Sequence, residues 1–171
     1  MWQVWDLRDR RAVRALLHGP RGVELMGDAI DVRGSTILTA SFRARQQLQQ
    51  WDLRNGKLLR EVPWHVVPGA APSRLSAAQF SKDRHGAFVA AAGAAAGEAA
   101  VQIFRRAPRE SHGRSGELEL AATVNSPSSV FGLDWSHSGT RLAVATSANG
   151  VLVAELPKSV GLAAAAAAQQ K

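Results

Sequence analysis

The chain has 171 residues, 21 Lys and Arg against 14 Asp and Glu, and no cysteine. That length, with 46% hydrophobic residues, can bury the core of one domain. The missing cysteine excludes a disulfide scaffold, a Cys-ligated zinc site, an iron–sulfur cluster and thiol catalysis.

Period-two alternation of apolar and polar residues recurs along the chain, and no long 3.6-residue periodicity precedes the C-terminal stretch. The pattern predicts thirteen strands. In chain order they cover residues 2–7, 12–17, 28–32, 36–42, 48–53, 58–62, 76–80, 87–92, 100–104, 118–124, 130–135, 142–146 and 151–155. Asn55-Gly56 marks a hairpin turn between the fifth and sixth. The Ala-rich stretch from Ala90 to Ala100 is broken by Gly93 and Gly97 and is expected to hold a loop. Residues 158–171 include six consecutive alanines, Ala163 to Ala168, and form a tail expected to be helical or disordered.

The strands repeat. Val4-Trp5-Asp6-Leu7-Arg8 matches Gln50-Trp51-Asp52-Leu53-Arg54. Val101-Gln102-Ile103-Phe104-Arg105 has the same shape with Phe104 in the Trp position, and Val151–Glu155 is a weaker fourth copy. The steps between Trp5, Trp51, Phe104 and Ala154 are 46, 53 and 50 residues. Between these strands lie two turns of one kind, Phe80-Ser81-Lys82-Asp83 and Trp135-Ser136-His137-Ser138-Gly139. Trp5, Trp51, Phe80, Phe104 and Trp135 therefore stand at repeat-equivalent positions and are expected in the core.

The two Trp-Asp dipeptides, in phase with these turns, resemble the WD40-repeat family across residues 1–157. The resemblance implies an all-β partial propeller of about three four-stranded antiparallel blades, each with strands a to d from the axis outward. The chain then opens on a c strand and closes on one. Such an arc leaves apolar faces and open edges in water. It is expected either to complete itself by assembly or to be the C-terminal part of a longer protein, and the opening on a c strand favours the second.

In the family a His, a Ser or Thr on strand b, an Asp and the strand-c Trp share a hydrogen-bond network. His18, Thr39 or Ser41, and Trp51 match it here, while Arg43 and Arg45 occupy the place of the Asp. His65 could serve in the next blade, but Ala91 and Ala92 replace the hydroxyl there. The implied role of Trp5, Asp6, Trp51, Asp52, His18, Phe104 and Trp135 is thus structural. Trp64 is less constrained and falls on the family's binding-prone face.

None of the five His pairs with another at i+4, and the metalloprotease, nucleophile-elbow and phosphate-loop motifs are absent. No enzyme activity, cofactor or metal is expected. The c–d and a–b loops, which the family places at one end, hold Arg8, Arg10, Arg11, Arg33, Arg54, Lys57, Lys82, Arg84, Arg105, Arg106, Arg109, Arg114 and Arg141. Asp9, Asp83, Glu110 and Glu117 stand against them. Arg8, Arg10, Arg11, Arg54, Lys57, Arg84, Arg105, Arg106, Arg109 and Arg114 are the candidate partner-binding residues. They point to a scaffold that holds an acidic protein partner in a large assembly. The alternative is an RNA- or ribosome-associated module using the same Arg-rich end.

No apolar run is long enough for a transmembrane helix, and Met1–Asp6 lacks a signal-peptide layout. No membrane partner is expected, and the expected location is cytoplasmic. The cadence of Gly27–Asp31 with Ile37–Ser41 resembles ciliary and flagellar WD-repeat members, which implies a cilium or cytoskeleton setting.

Overall fold

A computed structural model describes residues 2–16, 23–65, 73–95, 98–107 and 117–156. They form thirteen strands and, among the described residues, no helix. The first sheet pairs β1 (Trp2–Asp6) with β2 (Arg11–Leu16). The second holds β3 (Ile30–Arg33), β4 (Thr36–Ala40), β5 (Leu48–Asp52) and β6 (Leu58–Val62). The third holds β7 (Arg74–Phe80), β8 (Phe88–Ala95), β9 (Glu98–Arg106) and β10 (Leu118–Ser126). The fourth holds β11 (Val130–Trp135), β12 (Arg141–Thr146) and β13 (Val151–Glu155). Every pairing is antiparallel between chain neighbours, so each sheet is a meander.

The predicted repeat is a physical one. Trp51 pairs across β4–β5 with Ile37, Phe104 with Val89 across β8–β9, and Ala154 with Leu142 across β12–β13. The c–d pairings also carry the same irregularity. The register shifts between Val4 and Trp5, between Gln50 and Trp51, and opposite the Ile103–Phe104 step. Each shift leaves one extra residue on the d strand, which bends that strand and sharpens its twist.

Apolar faces of successive sheets pack on one another. Leu38, Ala40, Leu48 and Val62 of the second sheet meet Leu75, Phe80, Val89 and Phe104 of the third. Ala90, Ala92, Val101 and Ile103 of the third meet Leu133, Trp135, Leu142 and Val144 of the fourth. Val4 of the first packs with Ile37 and Trp51 of the second. The innermost strands are also stitched together: Ala78 N–H donates to Asp28 O (3.0 Å), Phe80 N–H to the Asp31 carboxylate (2.8 Å), and the Ser76 hydroxyl to Val130 O. Stacked faces joined along their inner strands make an arc of propeller blades.

Two expectations need correction. The stretch from Ala90 to Ala100 is mostly strand: β8 runs to Ala95 and β9 starts at Glu98. Gly93 does not break it. It pairs with Leu75 and Ala100, and a β-carbon there would lie 2.1 Å from Arg74 O. Its missing side chain allows the close approach of β7. Trp5 is not core. It is 55% exposed, whereas Trp51 is 5% exposed. Both rings face the side of the preceding sheet, and none of the described residues covers the first sheet on that side. The 158–171 tail lies outside the described residues.

Candidate functional site

The a–b and c–d turns emerge together, as expected. Leu53 N–H, in the β5–β6 turn, donates to Ser35 O in the β3–β4 turn (2.8 Å), and Leu156 N–H donates to Thr140 O (2.9 Å). The two similar a–b turns share a device. The Ser81 hydroxyl accepts from Phe88 N–H and the Ser136 hydroxyl from Arg141 N–H, each at 3.0 Å. In both, a turn serine satisfies the first amide of the following b strand.

At this end Asp6 and Asp52 carry out the same task. The Asp52 carboxylate accepts from Arg54 N–H (2.8 Å) and from the Arg54 guanidinium at Nε (3.1 Å) and Nη2 (2.9 Å). Asp6 and Arg8 repeat this geometry at 2.9, 3.1 and 2.8 Å. The Arg hydrogen bonds lower both carboxylate pKa values and raise those of both guanidiniums. The Trp-Asp-Leu-Arg repeat is therefore a turn clasp, its Asp holding the c–d turn through a fork-shaped pair.

Four other cations of this end also find carboxylates. Arg11 pairs with Asp9 (3.3 Å), Lys82 with Asp134, Arg105 with Glu119 (3.2 Å) and Arg141 with Glu155 (3.4 Å). Asp6, Asp52, Glu119, Asp134 and Glu155 sit on strand ends, so a count confined to loops misses them, and the cationic surplus of this end is smaller than loop residues imply. Arg33 has a different task. Its guanidinium donates to Ser81 O (3.0 Å), Asp83 O (2.8 Å) and Arg84 O (2.9 Å) in the next blade's a–b turn. Gly86, at φ +56°, leaves room for it: a β-carbon there would strike the guanidinium. Arg33 is thus a clamp between blades.

Three exposed cations remain. Arg10, Lys57 and Arg84 have no side-chain hydrogen bond or ion pair among the described residues. Arg106 is half-buried, with its guanidinium 5.7 Å from the centre of the Phe80 ring. Burial, with repulsion from Arg33 and Arg60, lowers its pKa, and Asp83 partly offsets this. Asp83 is itself held low. Burial raises its pKa, but hydrogen bonds from the Ser81 hydroxyl and the His85 and Ala87 amides outweigh that, aided by Arg33. Arg109 and Arg114 fall outside the described residues.

The family-like network is present in part. Trp51 Nε1–H donates to the Thr39 hydroxyl (2.9 Å), which lies 3.5 Å from Gln49 O. Thr39 is thus the strand-b partner, while the Ser41 hydroxyl accepts from Glu24 N–H (3.1 Å). His18 lies outside the described residues. The exposed His65 is held through its backbone instead: Gln102 Nε2 donates to His65 O (2.6 Å), and His65 N–H donates back to Gln102 Oε1 (3.2 Å). Gln102 is a buried amide two residues before the strand-c aromatic, and no sequence motif marks it. Trp64 packs on the core, 6.4 Å from Phe104. Trp135 is buried beside Phe88.

No group of His, Asp and Glu suited to holding a metal ion occurs among the described residues. No protein-family model matches the chain, and no curated protein matches it in sequence. Solved structures do match. A chain of the mitotic checkpoint complex is 16% identical, with a TM-score of 0.63 over 90% of this chain and 43% of that one. A chain in the complex of KlAtg21 with the coiled coil of AgAtg16 is 16% identical, with a TM-score of 0.55 over 91% and 46%. The C-terminal WD40 domain of Sif2 is 18% identical, with a TM-score of 0.51 over 85% and 37%. This chain spans less than half the length of each, and the fold is that of a WD40 β-propeller.

Proposed function

We propose that this protein is a non-enzymatic WD-repeat scaffold whose a–b and c–d turn end binds an acidic protein surface. The observation that carries the reading is the set Arg10, Lys57 and Arg84, exposed on one end and without a partner among the described residues. Cations already paired contribute little to a new contact, because their partners must first be displaced. Unpaired ones are free to speed encounter and fix orientation. Two of the matched structures are protein complexes, which supports a protein partner.

The test is binding of the 171-residue chain to immobilised polyglutamate and to single-stranded RNA at stepped salt. Changing Arg10, Lys57 and Arg84 to Glu is expected to abolish polyglutamate binding and leave the unfolding midpoint unchanged. Changing Arg43 and Arg45, in the β4–β5 connection at the opposite end, is expected to matter little. Equal loss from both sets, or binding indifferent to salt, would refute the reading. Tighter RNA binding that falls steeply with ionic strength would instead support the nucleic-acid alternative.

A further inference from the structure

We propose that the gap between the second and third sheets, walled by Gln50, Arg60 and Arg106, is a binding site for one oxyanion, a carboxylate or a phosphate group. The site uses none of Arg10, Lys57 and Arg84 and stands whether or not they hold the partner.

Strand alternation puts the three side chains in one place. Leu48, Val62 and Phe104 belong to the core cluster between these two sheets. Gln50, Arg60 and Arg106 each stand two residues from one of them along β5, β6 and β9, so they face the same gap. Gln50 and Arg60 are also register partners across β5–β6. The gap lies inside the arc: the first sheet packs on the far side of the second, and the fourth on the far side of the third.

Two of these residues have donors to spare. Gln50 is 3% exposed, and its Nε2 donates to no acceptor among the described residues. A buried amide donor without an acceptor is costly and marks a place where an acceptor belongs. The half-buried Arg106 lies against the Phe80 ring and has no side-chain hydrogen bond or ion pair among the described residues. Burial and the charges of Arg33 and Arg60 push its pKa down, and Asp83 offsets this only in part.

The carboxylates on this side are already engaged. Asp31 accepts from the Val32 and Phe80 amides, and Asp52 from Arg54 and Asn55. Asp83 accepts from the Ser81 hydroxyl and from the His85 and Ala87 amides. Arg33 commits its guanidinium to three backbone carbonyls, so it lends the gap charge rather than donors. The gap therefore combines unmatched donors with a surplus of positive charge. It selects an acceptor that is also negative. An oxyanion is both: it accepts from the Gln50 amide and the Arg106 fork, and it relieves the repulsion among the arginines.

The experiment is an NMR titration of the full 171-residue chain with sodium phosphate and, separately, sodium glutamate, at an ionic strength held constant with chloride. The Gln50 side-chain amide resonances are expected to shift and to saturate. Arg106→Gln should weaken that binding by roughly tenfold or more, the loss of one charged hydrogen bond. Arg45→Gln, at the opposite end, should not change it. If Arg106→Gln fails to fold, Gln50→Leu keeps the bulk and removes the unmatched donor. The Arg106 Nε–H resonance then follows the titration, and binding should weaken with no loss of stability. Tighter binding of phosphate supports the site with a phosphoryl group as its ligand, and tighter binding of glutamate supports it with an acidic side chain. Shifts that grow without saturating for both anions overturn the proposal. So does an Arg106→Gln or Gln50→Leu chain that binds as tightly as the unmodified one.

Discussion

Trp5 and Trp51 occupy the same place in the same motif, yet their replacement should have very different consequences. Trp51 is buried among Val23 and Ile37, with Val4, Leu25 and Leu53 around them, and its indole N–H donates to the Thr39 hydroxyl. Trp51→Ala removes that ring and leaves a cavity that neighbouring sheets cannot collapse to fill, which costs about 3–5 kcal/mol. Trp51→Phe keeps most of the volume but loses the hydrogen bond. Thr39 then retains only the long contact to Gln49 O, and the cost is ~1–2 kcal/mol. Trp5→Ala acts on a ring that is 55% exposed in this chain, and it should change stability by less than about 0.5 kcal/mol. Urea unfolding followed by circular dichroism reads all three. If Trp5→Ala destabilised the chain as much as Trp51→Ala, the contrast in burial between the two rings would fail to account for their contributions.

Arg33→Ala removes three hydrogen bonds from a guanidinium to carbonyls of the next blade, and it should lower stability by about 1.5–3 kcal/mol; Arg84→Ala, on the same turn but with an unengaged side chain, should leave the denaturation midpoint in place. Asp6, Asp52 and Asp83 all have native pKa values below their ordinary value, so each binds its proton more readily in the unfolded chain. Their stabilisation is present above the unfolded value near about 4 and drains away as the pH falls through the lower native values. The melting temperature should therefore fall on that acid limb, and Asp83→Asn should flatten it; a limb of undiminished slope in that variant would show that Asp83 does not contribute.

The thirteen strands and the burial of Trp51, Phe80, Phe104 and Trp135 were legible in the chain itself. Period-two alternation and turn residues such as Asn55-Gly56 act over a few residues, and a repeat writes the same local instruction several times. What the sequence could not carry was whether a given face has a neighbour. Trp5 and Trp51 share a motif but differ in exposure, because burial belongs to the pair of sheets and not to the strand. Charge behaved likewise. Arg8 and Arg54 are loop residues that look available, but strand geometry aims Asp6 and Asp52 back at them, and only β-register brings Glu119 opposite Arg105 and Glu155 opposite Arg141. Gly93 reads as a break until the carbonyl of Arg74 is seen against it. Local composition decided which residues form strands; the distances between sheets decided which side chains are core, which are clamps and which remain free to bind.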